Sequence, residues 1–153
     1  MAGIEQTMEI AAPRERVFEA LTDAGELTRW FPSGAESDPR TGGAFEYRFE
    51  FPSEPERDHV YSGAYAEVHD GEQVSYPWNG ALGETRVDVT LTPSGAGTVV
   101  RLEHTGWGEG EAWDDSRRTH DEGWAFFLGN LKSYLERGED QRAGALGMQT
   151  AAV

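Results

Sequence analysis

His104, Arg117 and His120 are the residues of this chain whose types and placement could do chemistry. Histidine is the side chain that exchanges a proton near neutral pH, and so serves as a general base or orients a polar group. Arginine pairs with carboxylates and phosphates. At 100° per residue, Trp113, Arg117, His120, Trp124, Phe127, Leu128, Leu131 and Leu135 fall within about 50° of one line, the buried face of a helix. The C-terminal half of that face is Phe and Leu, whereas its N-terminal half sets Arg117 and His120 between two tryptophans. His104 shares a strand face with Val100 and Leu102. Two histidines facing each other under one helix either handle a ligand or are hydrogen-bonded parts of the core. Arg117 likewise has two candidate partners, a ligand anion or an acid of the Gly106–Glu111 loop. No residue is assigned as catalytic.

Other chemistries lack their signatures. His59, His69, His104 and His120 show no ligand spacing such as HExxH, so no metal site is expected. Gly106-Trp107-Gly108-Glu109-Gly110 does not follow the strand–turn–helix pattern of a phosphate loop, and no cofactor is expected. The chain has no cysteine, which excludes a disulfide scaffold, a thiolate zinc site and a thiol nucleophile.

The elements that must position these residues follow from period and punctuation. Ile4 to Ile10 reads as a strand, closed by Ala11-Ala12-Pro13. A short helix spans Arg14 to Leu21, and Thr22-Asp23 caps a second over Ala24 to Phe31. From Ala44 the period becomes two, with Phe45, Tyr47, Phe49 and Phe51 on one face. Further strands are expected over Val60 to Val68, Gln73 to Trp78, Thr85 to Thr92 and Thr98 to Thr105, joined by short turns into an antiparallel meander. The long helix ends at Gly138, and residues 139–153 have little to bury and are expected to be a disordered tail. A sheet of this size needs a cover, and only the C-terminal helix is long enough. Helix and curved sheet cannot touch along their whole length, so a gap is expected between them. Trp30, Tyr47, Phe49, Tyr76, Trp78, Trp113 and Trp124 line that gap or fill the core. Phe126 falls about 160° from the buried line, on the wet side, where it marks a candidate dimer surface.

A chain of 153 residues makes one domain, taken as residues 1–138 ahead of the tail. Asp and Glu number 28 against 13 Lys and Arg, a net charge of −15, and Lys132 is the only lysine. Nucleic acid and anionic membranes are therefore not expected partners. No apolar run is long enough to span a bilayer, and the first residues do not read as a signal peptide, so a cytoplasmic location is expected.

The order strand, two short helices, meander, long helix resembles the helix-grip fold of the START and Bet v 1-like superfamily. Within it, the chain is similar to the group of the C-terminal domain of the activator of Hsp90 ATPase. The resemblance is carried by Ile10-Ala11-Ala12-Pro13-Arg14-Glu15-Arg16-Val17-Phe18-Glu19-Ala20-Leu21, by Leu27 with Trp30-Phe31, and by Gly42-Gly43 before Phe45. It continues through Gly63, Tyr65, Glu67-Val68 and Trp78, Val99 to Trp107, and Gly123-Trp124 to Leu135. It implies an α+β fold, with a curved antiparallel sheet of about six strands wrapped on the long helix. It also implies binding of a small hydrophobic or amphipathic molecule between sheet and helix, with Arg117, His120 and His104 as polar contacts. A polyketide cyclase-like acid–base enzyme using the same cavity and a chaperone-associated interaction protein without a ligand are the alternatives.

An acidic surface with almost no lysine suits a cytoplasm rich in salt. On that reading the thermal midpoint rises in molar KCl; a midpoint that stays flat or falls excludes it.

Overall fold

Phe45, Tyr47 and Phe49 all turn inward from one short strand, as their spacing demands, and the core is built outward from such faces. The computed structural model describes residues 3–150. In chain order these are β1 (Ile4–Ile10), α1 (Arg14–Thr22), α2 (Ala24–Leu27), β2 (Gly34–Ser37), β3 (Ala44–Phe49), a one-turn 3-10 helix (Pro55–Arg57) and β4 (His59–Ala64). There follow β5 (Glu67–His69), β6 (Gln73–Gly80), β7 (Gly83–Ser94), β8 (Gly97–Thr105), α3 (Glu111–Arg137) and α4 (Arg142–Leu146). All ladders are antiparallel.

The strands form two sheets rather than one, ordered β1-β8-β7-β6-β5 and β2-β3-β4. The expected Val60–Val68 strand is two, because the chain changes sheets at Tyr65 and Ala66. The cause lies in β6. The Ser75 carbonyl accepts from the Ala66 N–H (2.8 Å), so Ser75, Pro77 and Asn79 turn their backbone polar groups toward this edge. Pro77 has no N–H to give. Side chains bridge the sheets instead: Asn79 Oδ1 accepts from the Ser62 N–H (3.2 Å), and His59 Nε2 donates to the Asn79 carbonyl (3.1 Å). Gly63 allows the approach, since a Cβ there would sit 3.0 Å from Pro77 Cγ. β2 has no apolar alternation and is visible only through its pairing with β3. α2 stops at Leu27, four residues short of the Phe31 end expected from the sequence, and leaves Trp30 and Phe31 buried in the turn that follows.

α3 lies against the edge strand β1 and is tied to it at three levels. Gln6 Nε2 donates to the Asp121 side chain (2.7 Å), Lys132 Nζ to the Glu9 carbonyl (2.6 Å), and the Ala11 N–H to Glu136 (2.7 Å). Trp124, Leu128 and Leu131 fill the core from the helix, and Gly138 ends it in the left-handed region (φ 68°).

The C-terminal stretch is not a disordered tail. Residues 139–150 fold back as a strap containing α4, while residues 151–153 lie outside the described part. Arg142 is 1% exposed and fully bonded: Nη1 donates to the Phe31 and Pro32 carbonyls, Nη2 to the Thr28 carbonyl and to Asp140, and Nε to Asp140. Burial works to raise the Asp140 carboxyl, but the hydrogen bonds from Arg142 and Asn130 outweigh it and hold the pKa below its usual value. Asn130 Nδ2 donates to the Trp30 carbonyl (2.9 Å) and its Oδ1 accepts from the Gln141 N–H (2.8 Å). Met148 is buried, and the Gln149 N–H reaches the Glu50 carbonyl (2.8 Å). One arginine thus satisfies the carbonyls left over where α2 and its turn end.

Arg142→Ala leaves three carbonyls and Asp140 without that partner. It is expected to cost about 3 kcal/mol in urea unfolding and to open residues 139–150 to limited proteolysis. A variant as stable and as protease-resistant as the wild type contradicts the strap.

Candidate functional site

Two histidines meet three tryptophans where β6, β7, β8 and α3 come together. His104 leaves β8 opposite Val87 and is fully buried. Trp124 Nε1 donates to His104 Nδ1 (2.9 Å), so the proton of His104 sits on Nε2. That N–H donates to Thr85 Oγ1 (2.6 Å), whose hydroxyl donates to the Trp78 carbonyl (3.1 Å). Trp78 Nε1 in turn donates to His120 Nε2 (3.2 Å), and His120 Nδ1–H donates to the Ser116 carbonyl one turn back (2.8 Å). Trp107 Nε1 donates to the His104 carbonyl (2.9 Å). Both rings are therefore neutral, with both nitrogens engaged. Burial, reinforced by the neighbouring His120, pushes the His104 pKa down to about 3. Burial also lowers that of His120, against the pull of the Ser116 carbonyl.

Beside this network lies a cleft of about 470 Å³. Phe49, Phe51, His59 and Tyr61 of the three-stranded sheet and its loop form one wall; Thr119, His120, Glu122, Gly123, Trp124, Phe126 and Phe127 of α3 form the other. Trp78 and Phe31 are the floor, and Arg57 and Leu146 complete the rim. Trp78 stacks on Tyr61 with ring centres 3.7 Å apart at 15°. Phe31 touches the rings of Tyr47, Phe49, Trp78, Trp124 and Phe127, and so joins core to cleft. Burial raises the Tyr61 phenol to about 12. The cleft is the gap between sheet and helix, displaced toward the β3–β4 end.

Of the residues singled out from the sequence, Phe49, Trp78, His120 and Trp124 are in the cleft wall. Trp30, Tyr47, Tyr76 and His104 are core. Trp30 Nε1 donates to the Ala20 carbonyl (2.8 Å), and the Tyr47 hydroxyl bonds that of Tyr65 (2.8 Å). Trp113, expected over the cavity, packs on Trp107 and Gly83 and borders only a crevice of about 10 Å³. Arg117 is half-buried, outside the cleft, and in no ion pair among the described residues, with the 106–111 loop or otherwise. The reason is partly axial: the cleft takes α3 residues only from Thr119 to Phe127, and Trp113 and Arg117 lie ahead of them. It is partly angular: the helix face bordering the cleft centres on Gly123, rotated roughly 90° from the buried stripe, so that only His120, Trp124 and Phe127 of that stripe reach it. The same rotation brings Phe126, on the supposed wet side, into the cleft wall against Phe127 (ring centres 5.4 Å apart). Phe31, Phe51, Arg57, His59, Tyr61, Thr119, Glu122, Phe127 and Leu146 were not singled out for the site. Phe126, expected to mark a dimer surface, instead lies in the cleft wall.

Antiparallel strands in one sheet of five and one of three, packed with a long C-terminal helix and leaving a cleft beside it, define a helix-grip protein of the START and Bet v 1-like superfamily. Residues 11–136 match the model of the "Activator of Hsp90 ATPase homolog 1-like protein" family, and the chain belongs to that family. Among solved structures, it is similar to the Aha1 dimer of Colwellia psychrerythraea (24% identity, 91% of this chain and 99% of the other, TM-score 0.75). It is also similar to SSP2350 of Staphylococcus saprophyticus (26% identity, 90% and 93%, TM-score 0.73). DynU16, from the dynemicin biosynthetic locus, matches at 22% identity over 90% of this chain (TM-score 0.75), and this chain spans about half of its length (48%). Comparison with curated protein sequences gives no match. No helix among the described residues is long and apolar enough to cross a membrane.

In the unfolded chain His104 takes up a proton below about pH 6.5, whereas in the folded protein it resists until about 3. Its contribution is complete above 6.5 and is lost as pH falls through that window, by up to about 1.4 kcal/mol per pH unit. His104→Gln is expected to flatten the fall of urea-unfolding stability between pH 6 and 5 by about that slope. An unchanged slope contradicts a histidine locked neutral.

Proposed function

We propose that the cleft binds a small hydrophobic or amphipathic molecule and does not turn it over. The observation that carries this reading is the composition of the wall. Eight of its lining residues are Phe, Tyr or Trp, left facing an open volume of about 470 Å³ in a protein with no unpartnered buried polar side-chain atom among the described residues. Apolar rings kept at the edge of such a volume are the usual make-up of a ligand pocket, whereas the same rings would stabilise the fold more if packed together. The engaged nitrogens of His104 and His120 speak against the acid–base alternative for those two rings, because neither has a lone pair to accept a proton from a ligand. Of the histidines in the cleft wall, only His59, whose Nε2–H is held by the Asn79 carbonyl, keeps its Nδ1 open among the described residues.

Gly123 lies on the helix face over the cleft, and a Cβ there meets nothing within 4 Å. Gly123→Leu should fill the cleft while improving helix propensity by about 1 kcal/mol. The expected result is an equal or higher thermal midpoint together with loss of binding of the neutral probe N-phenyl-1-naphthylamine, followed by its fluorescence. Wild-type protein that does not bind the probe, or a variant that binds it as well, sinks the proposal.

A further inference from the structure

We infer that the molecule this cleft accepts is an organic cation, an amphipathic amine or quaternary ammonium whose apolar body lies on the floor and whose charge lies at the mouth. The inference rests on the ligand-binding reading above and adds the ligand's charge.

Three observations give the sign. The walls are aromatic rings, whose faces are electron-rich. Tyr61 is stacked on Trp78, with Phe49 edge-on to both Tyr61 (5.6 Å) and Phe127 (6.1 Å). A cation over such faces is attracted by the ring quadrupole, and more strongly where water is excluded. At the mouth stands Glu122, exposed and in no ion pair among the described residues. It faces into a site that offers an anion little in return. Arg57 is the one Lys or Arg of the wall, and its guanidinium is occupied by Glu54 Oε1 (3.0 Å) and lies 4.1 Å above the Phe51 ring. That contact is the protein's own example of a cation seated on a ring of this rim. His120 has both nitrogens engaged, and the Nε2–H of His59 is held by the Asn79 carbonyl.

The third observation is the field. A net charge of −15 on 153 residues raises the local concentration of cations and repels anions before either reaches the mouth. A carboxylate or phosphate ligand would have to enter against that field and find no unpaired positive group. A neutral ligand would gain nothing from Glu122.

Three naphthyl probes of matched size separate these cases: (1-naphthylmethyl)trimethylammonium, 1-naphthalenemethanol and 1-naphthylacetate. They are titrated by calorimetry at low ionic strength. The cation is expected to bind tightest, by about threefold to tenfold over the alcohol, and the acetate weakest. Glu122→Gln should remove most of that preference, while Glu15→Gln, which deletes the same charge from α1 away from the cleft, should leave it nearly unchanged. An alcohol or acetate that binds as tightly as the cation overturns the inference and leaves the hydrophobic-ligand reading standing. A preference lost equally in both variants also overturns it, since the whole field and not the mouth would then select. If no naphthyl probe and no N-phenyl-1-naphthylamine binds, both readings fall together.

Discussion

Everything around the cleft depends on how Trp78 is held. Strand periodicity turns Pro77 outward and Trp78 inward, so one short stretch of β6 both breaks the sheet and supplies the group that spans the break. The indole has one N–H and gives it to His120 on α3. Its backbone carbonyl takes the hydroxyl of Thr85, which is bonded to His104. Its ring lies on Tyr61 of the other sheet. A single side chain therefore connects both sheets and the long helix. The connection holds only while His120 Nε2 is an acceptor, that is, while the ring is neutral. Each of these buried bonds is worth little net in water exchange, yet leaving a partner unmade costs about 1–3 kcal/mol. Losing one of these partners therefore weakens the tie between helix and sheets at that point.

That arrangement occupies both nitrogens of His104 and of His120. A general base needs a free lone pair facing the substrate. His104 spends Nδ1 on Trp124 and Nε2 on Thr85; His120 spends Nε2 on Trp78 and Nδ1 on Ser116. Their depressed pKa values follow chiefly from burial. The tryptophans near them are likewise divided in role. Trp124 and Trp78 line the cleft with their rings while their N–H groups are bonded in the network, so the same residues can be rigid and still offer apolar surface.

The parts legible in the sequence were those governed by local periodicity. The alternation through Phe45, Tyr47 and Phe49, the long helix with its Trp124–Leu128–Leu131 stripe, the glycine stop at 138, and the meeting of His104 with His120 (ring centres 5.5 Å apart) all follow from periods of two and 3.6. What periodicity does not carry is the register between strands or the angle at which a helix meets a sheet. Thr85 becomes the partner of His104 only because β7 and β8 pair Val87 with His104. Arg117 lies on the same stripe as Trp124 but about two turns nearer the N-terminus, ahead of the stretch from Thr119 to Phe127 that borders the cleft with a face centred on Gly123. The division into two sheets turns on the edge that Pro77 faces, which a proline in a strand signals without locating. The strap was missed because a sparse polar stretch has no period, and its order comes almost entirely from one arginine finding the carbonyls at the end of α2.

The strap gives the cleft two walls of different mechanical character. The floor and the sheet side are backed by aromatic packing and the Trp78 network. Part of the rim is the 3-10 turn with Arg57 and the five-residue α4 with Leu146, both far too short to be stable helices by themselves. α4 persists because Arg142 holds it, and Arg142 is anchored on the carbonyls of Thr28, Phe31 and Pro32 rather than on the cleft itself. Phe31 thus presents its ring to the floor and its carbonyl to the strap. The apolar wall that Leu146 supplies is therefore conditional on a polar contact on the far side of the same residue. For this reason the shape of the cleft cannot be separated from the C-terminal residues whose small, polar composition suggests a disordered tail.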